Sequence, residues 1–201
     1  APKGAKEGVW DPKLRELLPD LFGTDFSNLA VFSHTDLQRE GDYPDRFKRI
    51  AEIADVVIVD EAHHFRNQGT QGDLETGEKR SRYYKFMDLL RQGNPNKKLF
   101  MLTATPINNR LTDLRHMIEL FTGMDEAHFS RTLGIHNLRA HFNRLERNLK
   151  KSLGNSAESV SENIREATEF LADDEIFENL IVQRSRAYAV ESQKNEFGAA
   201  A

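Results

Sequence analysis

Apolar and polar positions change their period several times along the first half of the chain. Val56–Val59 is a run of four β-branched residues, which predicts a strand buried on both faces. Residues 98–102 form a second apolar run, and residues 29–35 form a third that ends in polar side chains. Both predict further strands, because each run is too short for a core helix.

Helical periodicity fills the stretches between these runs. Apolar side chains recur on one helical face after Pro12, after Pro44 and through residues 83–90. Residues 66–82 carry glycines and charges but few apolar groups, so they predict a mobile surface loop. Because strands and helices alternate, we expect an α/β fold with a parallel sheet and right-handed crossovers.

Beyond residue 110 the strand signal stops and helical spacing continues. Apolar residues at 111, 114, 118 and 121 share one face, as do those at 135, 138, 142, 145 and 149, and Ser159 with Glu162 forms a capping box before a further helix. We therefore expect residues 1–110 to hold the sheet and residues 111–180 to form a helical subdomain inserted into it or packed on it. Residues 181–201 are then a closing segment and tail.

The amino-acid composition narrows the classes of protein to which the chain can belong. The chain has 201 residues, a net charge of −4 and no cysteine. The lack of cysteine excludes disulfides and cysteine-based zinc sites and fits a reducing compartment, so we expect a cytoplasmic protein. No apolar run has the length of a membrane span, so we expect no membrane partner. The negative charge argues against a uniformly basic nucleic-acid binder, although a local groove can still grip a nucleic-acid backbone.

Two adjacent carboxylates, Asp60 and Glu61, directly follow the strand predicted at Val56–Val59. Open α/β sheets place their ligands at this carboxyl end of their strands. In that position Asp60 suits a Mg²⁺ ion carried on nucleotide phosphates, and Glu61 suits a general base that orients the attacking water. The alternative is a strand followed by an acidic turn without chemistry.

Two hydroxyls, Thr103 and Thr105, follow the strand predicted at residues 98–102. Hydroxyls at a strand end can hydrogen-bond a neighbouring carboxylate and respond to what that carboxylate binds. Pro106 stops strand pairing and Asn108 with Asn109 favours a turn, so a plain polar turn is the alternative.

These motifs together resemble those of superfamily 2 helicases and translocases. Asp60-Glu61-Ala62-His63 resembles motif II and Thr103-Ala104-Thr105-Pro106 resembles motif III, and the following Ile107-Asn108-Asn109 is similar to the Swi/Snf-like branch. Ala1-Pro2-Lys3 with Trp10 resembles motif Ia, residues 29–35 resemble motif Ib, and residues 181–186 resemble the arginine segment that closes the first lobe. The chain departs from the family at Gln183 and Ser185, which flank Arg184 where two adjacent arginines are more usual.

The resemblance implies a RecA-like parallel sheet flanked by helices, with a C-terminal helical protrusion that embraces DNA. It implies ATP and Mg²⁺ as cofactors, and double-stranded DNA and a second RecA-like lobe of the same protein as partners. The implied roles are catalysis for Asp60 and Glu61, nucleotide coupling for His63, Thr103, Thr105 and Asn109, nucleic-acid binding for Lys3, His34 and Thr35, and inter-lobe contact for Arg184.

Plainer interpretations stand beside several of these roles. His34 and Thr35 also fit an ordinary polar strand end, and Arg184 also fits a cap on the domain. Trp10 is expected to pack in the core. A metal pair at His63 and His64 is disfavoured, because adjacent side chains at a strand-to-loop junction should point apart. Residues 139–151 carry five Lys or Arg against one Glu, which fits a phosphate-binding face but more commonly marks a solvated helix face.

No Gly-x-x-x-x-Gly-Lys-Ser/Thr loop occurs in the chain, so we expect an incomplete lobe of a larger ATPase. The expected activity of that parent is ATP-driven movement on duplex DNA. The alternatives are a strand-separating helicase of a restriction or repair system and a scaffold module without ATPase activity. Alanine at position 104, where eukaryotic remodellers more often have glycine, favours a bacterial or nucleoid-associated protein.

Overall fold

The fold is mixed α/β and mostly helical in the part of the chain that the structure describes. The structure is a computed structural model, and it describes residues 1–17, 29–72, 79–104, 110–152 and 171–182. The α-helices and strands are α1 (Lys3–Ala5), α2 (Asp11–Leu17), α3 (Tyr43–Ile53), β1 (Val56–Val59), α4 (Arg82–Leu90), β2 (Lys98–Met101), α5 (Leu111–Thr122), α6 (Leu138–Ser152) and α7 (Glu175–Leu180). A π-helical stretch, Lys6–Trp10, joins α1 to α2, and two 3₁₀ helices span His34–Gln38 and Ala62–Phe65.

Strands β1 and β2 pair in parallel, which confirms two of the predicted strands and their direction. The register runs from Val56 opposite Lys98 to Val59 opposite Met101. Helix α4 lies between the two strands in the chain, so the connection is the expected strand–helix–strand crossover. Both carboxyl ends therefore lie at the same edge of the sheet.

The prediction that β1 is buried on both faces is wrong for the described part of the chain. Val59 is 4% exposed, whereas Val56 and Ile58 are 51% and 59% exposed. On β2, Phe100 is also exposed, while Leu99 and Met101 pack against the core. Since side chains alternate across a strand, one face of this small sheet meets the core and the other remains open among the described residues.

The strand predicted at residues 29–35 is also wrong. This segment is irregular and leads into the 3₁₀ helix at His34–Gln38. The N–H of Ser33 donates to Oδ2 of Asp36 at 2.8 Å, and the N–H of Asp36 donates to the carbonyl of Ser33 at 3.0 Å. Such local bonds from Ser and Asp compete with a strand ladder, and here they turn the chain.

Lys97 fixes the helix ends that precede β2. Its Nζ donates to the carbonyls of Ala51 at 2.6 Å and Gln92 at 2.7 Å, near the carboxyl ends of α3 and α4. A lysine satisfies unpaired carbonyls there and complements the helix dipole. Burial lowers the pKa of Lys97, so this contact holds the position of β2 at some cost in solvation.

The hydrophobic core lies mainly between β1 and the helices α4, α5 and α6. The side chains buried most completely are those of Tyr83, Leu111, Leu120, Leu138, Phe142, Leu149, Leu171 and Ile176. Helices α5 and α6 confirm the helical spacing predicted for this half of the chain, and Gly123, at a φ of 62°, ends α5 in the left-handed conformation. The capping box at Ser159 and Glu162 lies outside the described residues. No helix in the described ranges combines the length and apolarity needed to cross a bilayer.

Candidate functional site

The candidate site begins where β1 ends. Glu61 has φ 51° and ψ 51°, a left-handed conformation that is uncommon for residues other than glycine. The next N–H, that of Ala62, donates to the carbonyl of Leu102 at 2.9 Å, and the N–H of Leu102 donates to the carbonyl of Val59 at 2.8 Å. The chain after β2 thus holds the turn at Glu61 in place, and Thr103 follows directly after this contact.

Both carboxylate oxygens of Asp60 accept a hydrogen bond. The indole N–H of Trp10 donates to Oδ2 at 2.8 Å, and the backbone N–H of Glu61 donates to Oδ1 at 3.1 Å. The expectation that Trp10 packs in the core is therefore wrong, since the ring is only half-buried and its polar edge meets a carboxylate. No local sequence pattern indicates this pair, because the two residues are 50 positions apart.

The side chain of Glu61 lies beside that of His63. The Nδ1 of His63 lies 3.1 Å from Oε2 of Glu61, and the side chains are 29% and 41% exposed respectively. The carboxylate therefore has one oxygen near an imidazole nitrogen and is open to water. This is a usable arrangement for a general base.

His63 and His64 do not point apart as expected, because the 3₁₀ turn at Ala62–Phe65 brings their rings to 4.5 Å between centroids. The ring of His34 lies 5.4 Å from that of His64. Among the described residues, these three rings do not place three ligand atoms close enough together to hold a metal ion, either alone or with a carboxylate. The cluster is a packing arrangement rather than a metal centre.

His34 is 7% exposed and packs against Phe65 at 5.2 Å between ring centroids. Neither ring nitrogen has a hydrogen-bond partner within the described ranges. Burial, with the nearby positive amino group of Ala1 and the rings and charges around it, lowers the pKa of His34 to about 4. A direct contact between this ring and a phosphate would require the ring to leave its pocket, and the nucleic-acid role of His34 stays a prediction.

The other predicted site residues are scattered around this centre or lie outside it. Lys3 is exposed on α1, and Thr35 is exposed with its hydroxyl 2.8 Å from that of Ser33. Thr103 is half-buried beside the turn at Glu61. Thr105, Asn109 and Arg184 lie outside the described residues, so their predicted roles are not addressed by the structure.

A network not expected from the sequence ties the segment after the 3₁₀ helix at Ala62–Phe65 to α5. The amide of Gln68 donates to Oε2 of Glu119 at 2.7 Å, and the Nδ1 of His116 lies 2.6 Å from the carbonyl oxygen of Arg66. Glu119 is 2% exposed, and Arg115 lies 3.2 Å from its Oε1. Burial raises the pKa of Glu119, and the positive charge of Arg115 opposes this rise.

Helix α6 presents the predicted basic face to solvent. Its apolar positions, Leu138, Phe142, Leu145 and Leu149, are buried, while Arg139, Arg144, Arg147, Lys150 and Lys151 are exposed. Two of these cations already have acidic neighbours: Arg139 lies 3.3 Å from Glu126, and Lys150 lies 3.2 Å from Glu146. The face is therefore basic, but its charge is partly balanced.

One group of His, Asp and Glu side chains in the described ranges has metal-ligand spacing, namely His141, Asp174 and Glu175. Its hydrogen bonding does not suit a metal. The guanidinium of Arg144, always a donor, lies 3.0 Å from Nδ1 of His141, so Nδ1 is the accepting atom in this contact. The Nε2 of the same ring lies 2.8 Å from Oδ2 of Asp174. A metal-bound histidine instead donates through its second nitrogen, so we interpret this group as a contact that joins α6 to α7.

Comparison of the chain with profiles of protein families, with curated proteins and with solved structures gave no match.

Proposed function

We propose that this chain is an incomplete first RecA-like lobe, without its phosphate-binding loop, of a Swi/Snf-like ATPase that moves along double-stranded DNA. The observation that carries the proposal is the position of Asp60 and Glu61 at the carboxyl end of β1, directly beside the end of β2. Ligands bind at that edge in open α/β sheets. A left-handed backbone at Glu61 supports a functional role, because such strain persists mainly where function requires it.

Asp60 suits the metal of a nucleotide. Its two hydrogen bonds come from neutral N–H groups, so neither cancels its negative charge. A carboxylate has about four lone-pair sites, and two of them stay open for a cation. When bound, Mg²⁺ neutralises charge that develops on the nucleotide phosphates. Asp60 would hold this ion.

Glu61 suits the role of general base. One carboxylate oxygen lies near His63, and the side chain is partly exposed, so a water molecule can reach the group. The base accepts the proton of the water that attacks the terminal phosphate. His63 lies beside this carboxylate, in the turn that contacts Leu102 and, next to it, Thr103.

The proposed DNA contacts are electrostatic. Lys3 and Thr35 are exposed at the surface, and α6 adds a row of exposed cations. Contacts of this kind neutralise backbone phosphates without reading the bases, so affinity should fall steeply with salt. This is what movement along any sequence requires.

The proposal is tested with the full-length protein that carries this chain, by comparing phosphate release without DNA, with blunt duplex DNA and with single-stranded DNA. We expect duplex DNA to stimulate ATP hydrolysis most. Stronger stimulation by single strands would favour the strand-separating helicase instead. No hydrolysis under any of the three conditions would favour a scaffold role and contradict the proposal.

A further inference from the structure

We propose that Trp10 is a positioning residue for Asp60, because its indole N–H fixes the orientation of the carboxylate that receives the metal. The bond from Nε1 to Oδ2 measures 2.8 Å and spans 50 positions in the chain. Its consequence for the metal depends on the function proposed above. The hydrogen bond itself is testable without that function.

The two donors to Asp60 act on different oxygens. The N–H of Glu61 binds Oδ1, and that bond would form in many turns because the two residues are adjacent. The indole is the one donor to Oδ2 in the described part of the chain. With both oxygens held, the carboxylate cannot rotate, and its remaining lone pairs point in fixed directions. Partners of this kind orient metal ligands and strengthen metal binding.

A tryptophan suits this position chemically. Its N–H is a donor only, and it is neutral over the whole accessible pH range. A lysine or arginine at the same place would orient the carboxylate equally well but would compete with the metal for its charge. The indole therefore orients Asp60 and leaves its charge for a cation.

The helix geometry around Trp10 turns its ring toward Asp60. Lys6–Trp10 is π-helical, and the N–H of Asp11 donates to the carbonyl of Lys6, five residues back. An α-helix turns by about 100° per residue, so one inserted residue rotates the following side chains by about that angle. Single π-helical turns are found frequently at functional sites. Here the turn ends at the residue that contacts Asp60.

The hydrogen bond is tested by hydrogen exchange in the ¹⁵N-labelled 201-residue chain. The chain has one tryptophan, so it gives one indole N–H signal. In Asp60→Ala this proton should exchange with solvent about tenfold faster, because a bond to a charged acceptor is lost. Asp11→Asn, which removes a carboxylate next to Trp10 but not its partner, is the matched control and should leave the rate unchanged. An unchanged rate in Asp60→Ala would overturn the contact.

The positioning role is tested in the same chain with Mn²⁺ as the paramagnetic probe. Trp10→Phe keeps an aromatic ring and removes the donor. The Mn²⁺ concentration that broadens the backbone amide signal of Glu61 should rise roughly 10- to 100-fold in this variant, the usual cost of losing a residue that orients a metal ligand. Equal broadening in both proteins, or no broadening in either, would overturn the role. Neither readout requires ATP hydrolysis, so failure of the proposed function is distinguishable from failure of this inference.

Discussion

At the scale of single residues, the site combines a strained backbone with a buried histidine ring. Glu61 adopts a left-handed conformation directly after β1, and His34 is buried without a hydrogen-bond partner among the described residues. A left-handed backbone and a buried polar ring without a hydrogen bond both lower stability. Residues kept at such a cost are concentrated at functional sites.

The strain at Glu61 predicts a stability change that is independent of any reaction. Glu61→Gly should raise the free energy of unfolding by about 1 kcal/mol, because glycine adopts the left-handed region without penalty. Glu178→Gly, in the ordinary conformation of α7, should lower it by about 1 kcal/mol. Chemical denaturation of both variants measures the difference. A loss of stability in Glu61→Gly would show that the turn is not strained.

His34 predicts an acid-dependent loss of stability. Its pKa is about 4 in the folded protein against 6.5 without the fold, so the unfolded chain binds a proton first as the pH falls. Stability is therefore lost between these two values, by roughly 2 kcal/mol from about pH 7 to about pH 5. The substitution His34→Phe should remove this loss. The control His136→Gln, at an exposed histidine, should leave the loss unchanged. Denaturant titrations at both pH values measure it, and an equal acid loss in His34→Phe would contradict the assignment.

At the scale of elements, the sequence predicts what local pattern controls. The β-branched run at Val56–Val59 becomes β1, and the apolar spacing of residues 138–149 becomes the buried face of α6. The segment at residues 29–35 has the same apolar character but forms no strand, because Ser33 and Asp36 bond to each other. Local polar chemistry overrides apolar composition there.

Contacts between residues that are distant in the sequence are not indicated by any local pattern of apolar and polar positions. Trp10 meets Asp60 across 50 positions and Gln68 meets Glu119 across 51, and neither spacing belongs to a helix or a strand. The start of the segment predicted as a mobile loop, residues 66–82, is anchored to α5 at Arg66 and Gln68, and residues 73–78 of that segment lie outside the described residues. The position of the acidic pair was predictable from the sequence, but the groups that hold it were not.

The hydrogen bond from Gln68 to Glu119 predicts how much stability the protein loses when Gln68 is removed. Gln68→Ala should lower the free energy of unfolding by about 1.5 to 3 kcal/mol, because the buried Glu119 carboxylate loses a donor. Gln38→Ala, which shortens an exposed glutamine in a 3₁₀ helix, should change it by less than about 0.5 kcal/mol. Urea unfolding of the two variants gives the comparison. Equal, small changes would show that Glu119 is satisfied by Arg115 alone.

At the scale of the whole molecule, the described residues form a helical core with a two-stranded sheet at one side. The proposed reaction needs more than this chain carries, since no phosphate-binding Gly-Lys-Ser/Thr loop occurs in its sequence. The division at residue 110 stays a prediction. Buried side chains on both sides of it, such as Val59 and Leu114, belong to one core cluster.

The lack of a phosphate-binding loop predicts that the 201-residue chain alone does not turn over ATP. Asp60 and Glu61 then have no nucleotide held in position, with or without DNA. Phosphate release by the purified chain, measured with duplex DNA present, should stay at the level of a blank. Duplex-stimulated release that Glu61→Gln abolishes would show that the chain is sufficient by itself.

The central claim is that Glu61 activates the water that attacks ATP, and a single-turnover measurement on the full-length protein tests it most directly. Glu61→Gln keeps the shape of the side chain but removes the base. ATP binding should be retained, while the rate of phosphate release with duplex DNA should fall by roughly a hundred- to ten-thousand-fold. The exposed Glu178→Gln is the matched control and should hydrolyse ATP at the wild-type rate. A near-normal rate in Glu61→Gln would contradict the account and leave Glu61 as a turn residue at the end of β1.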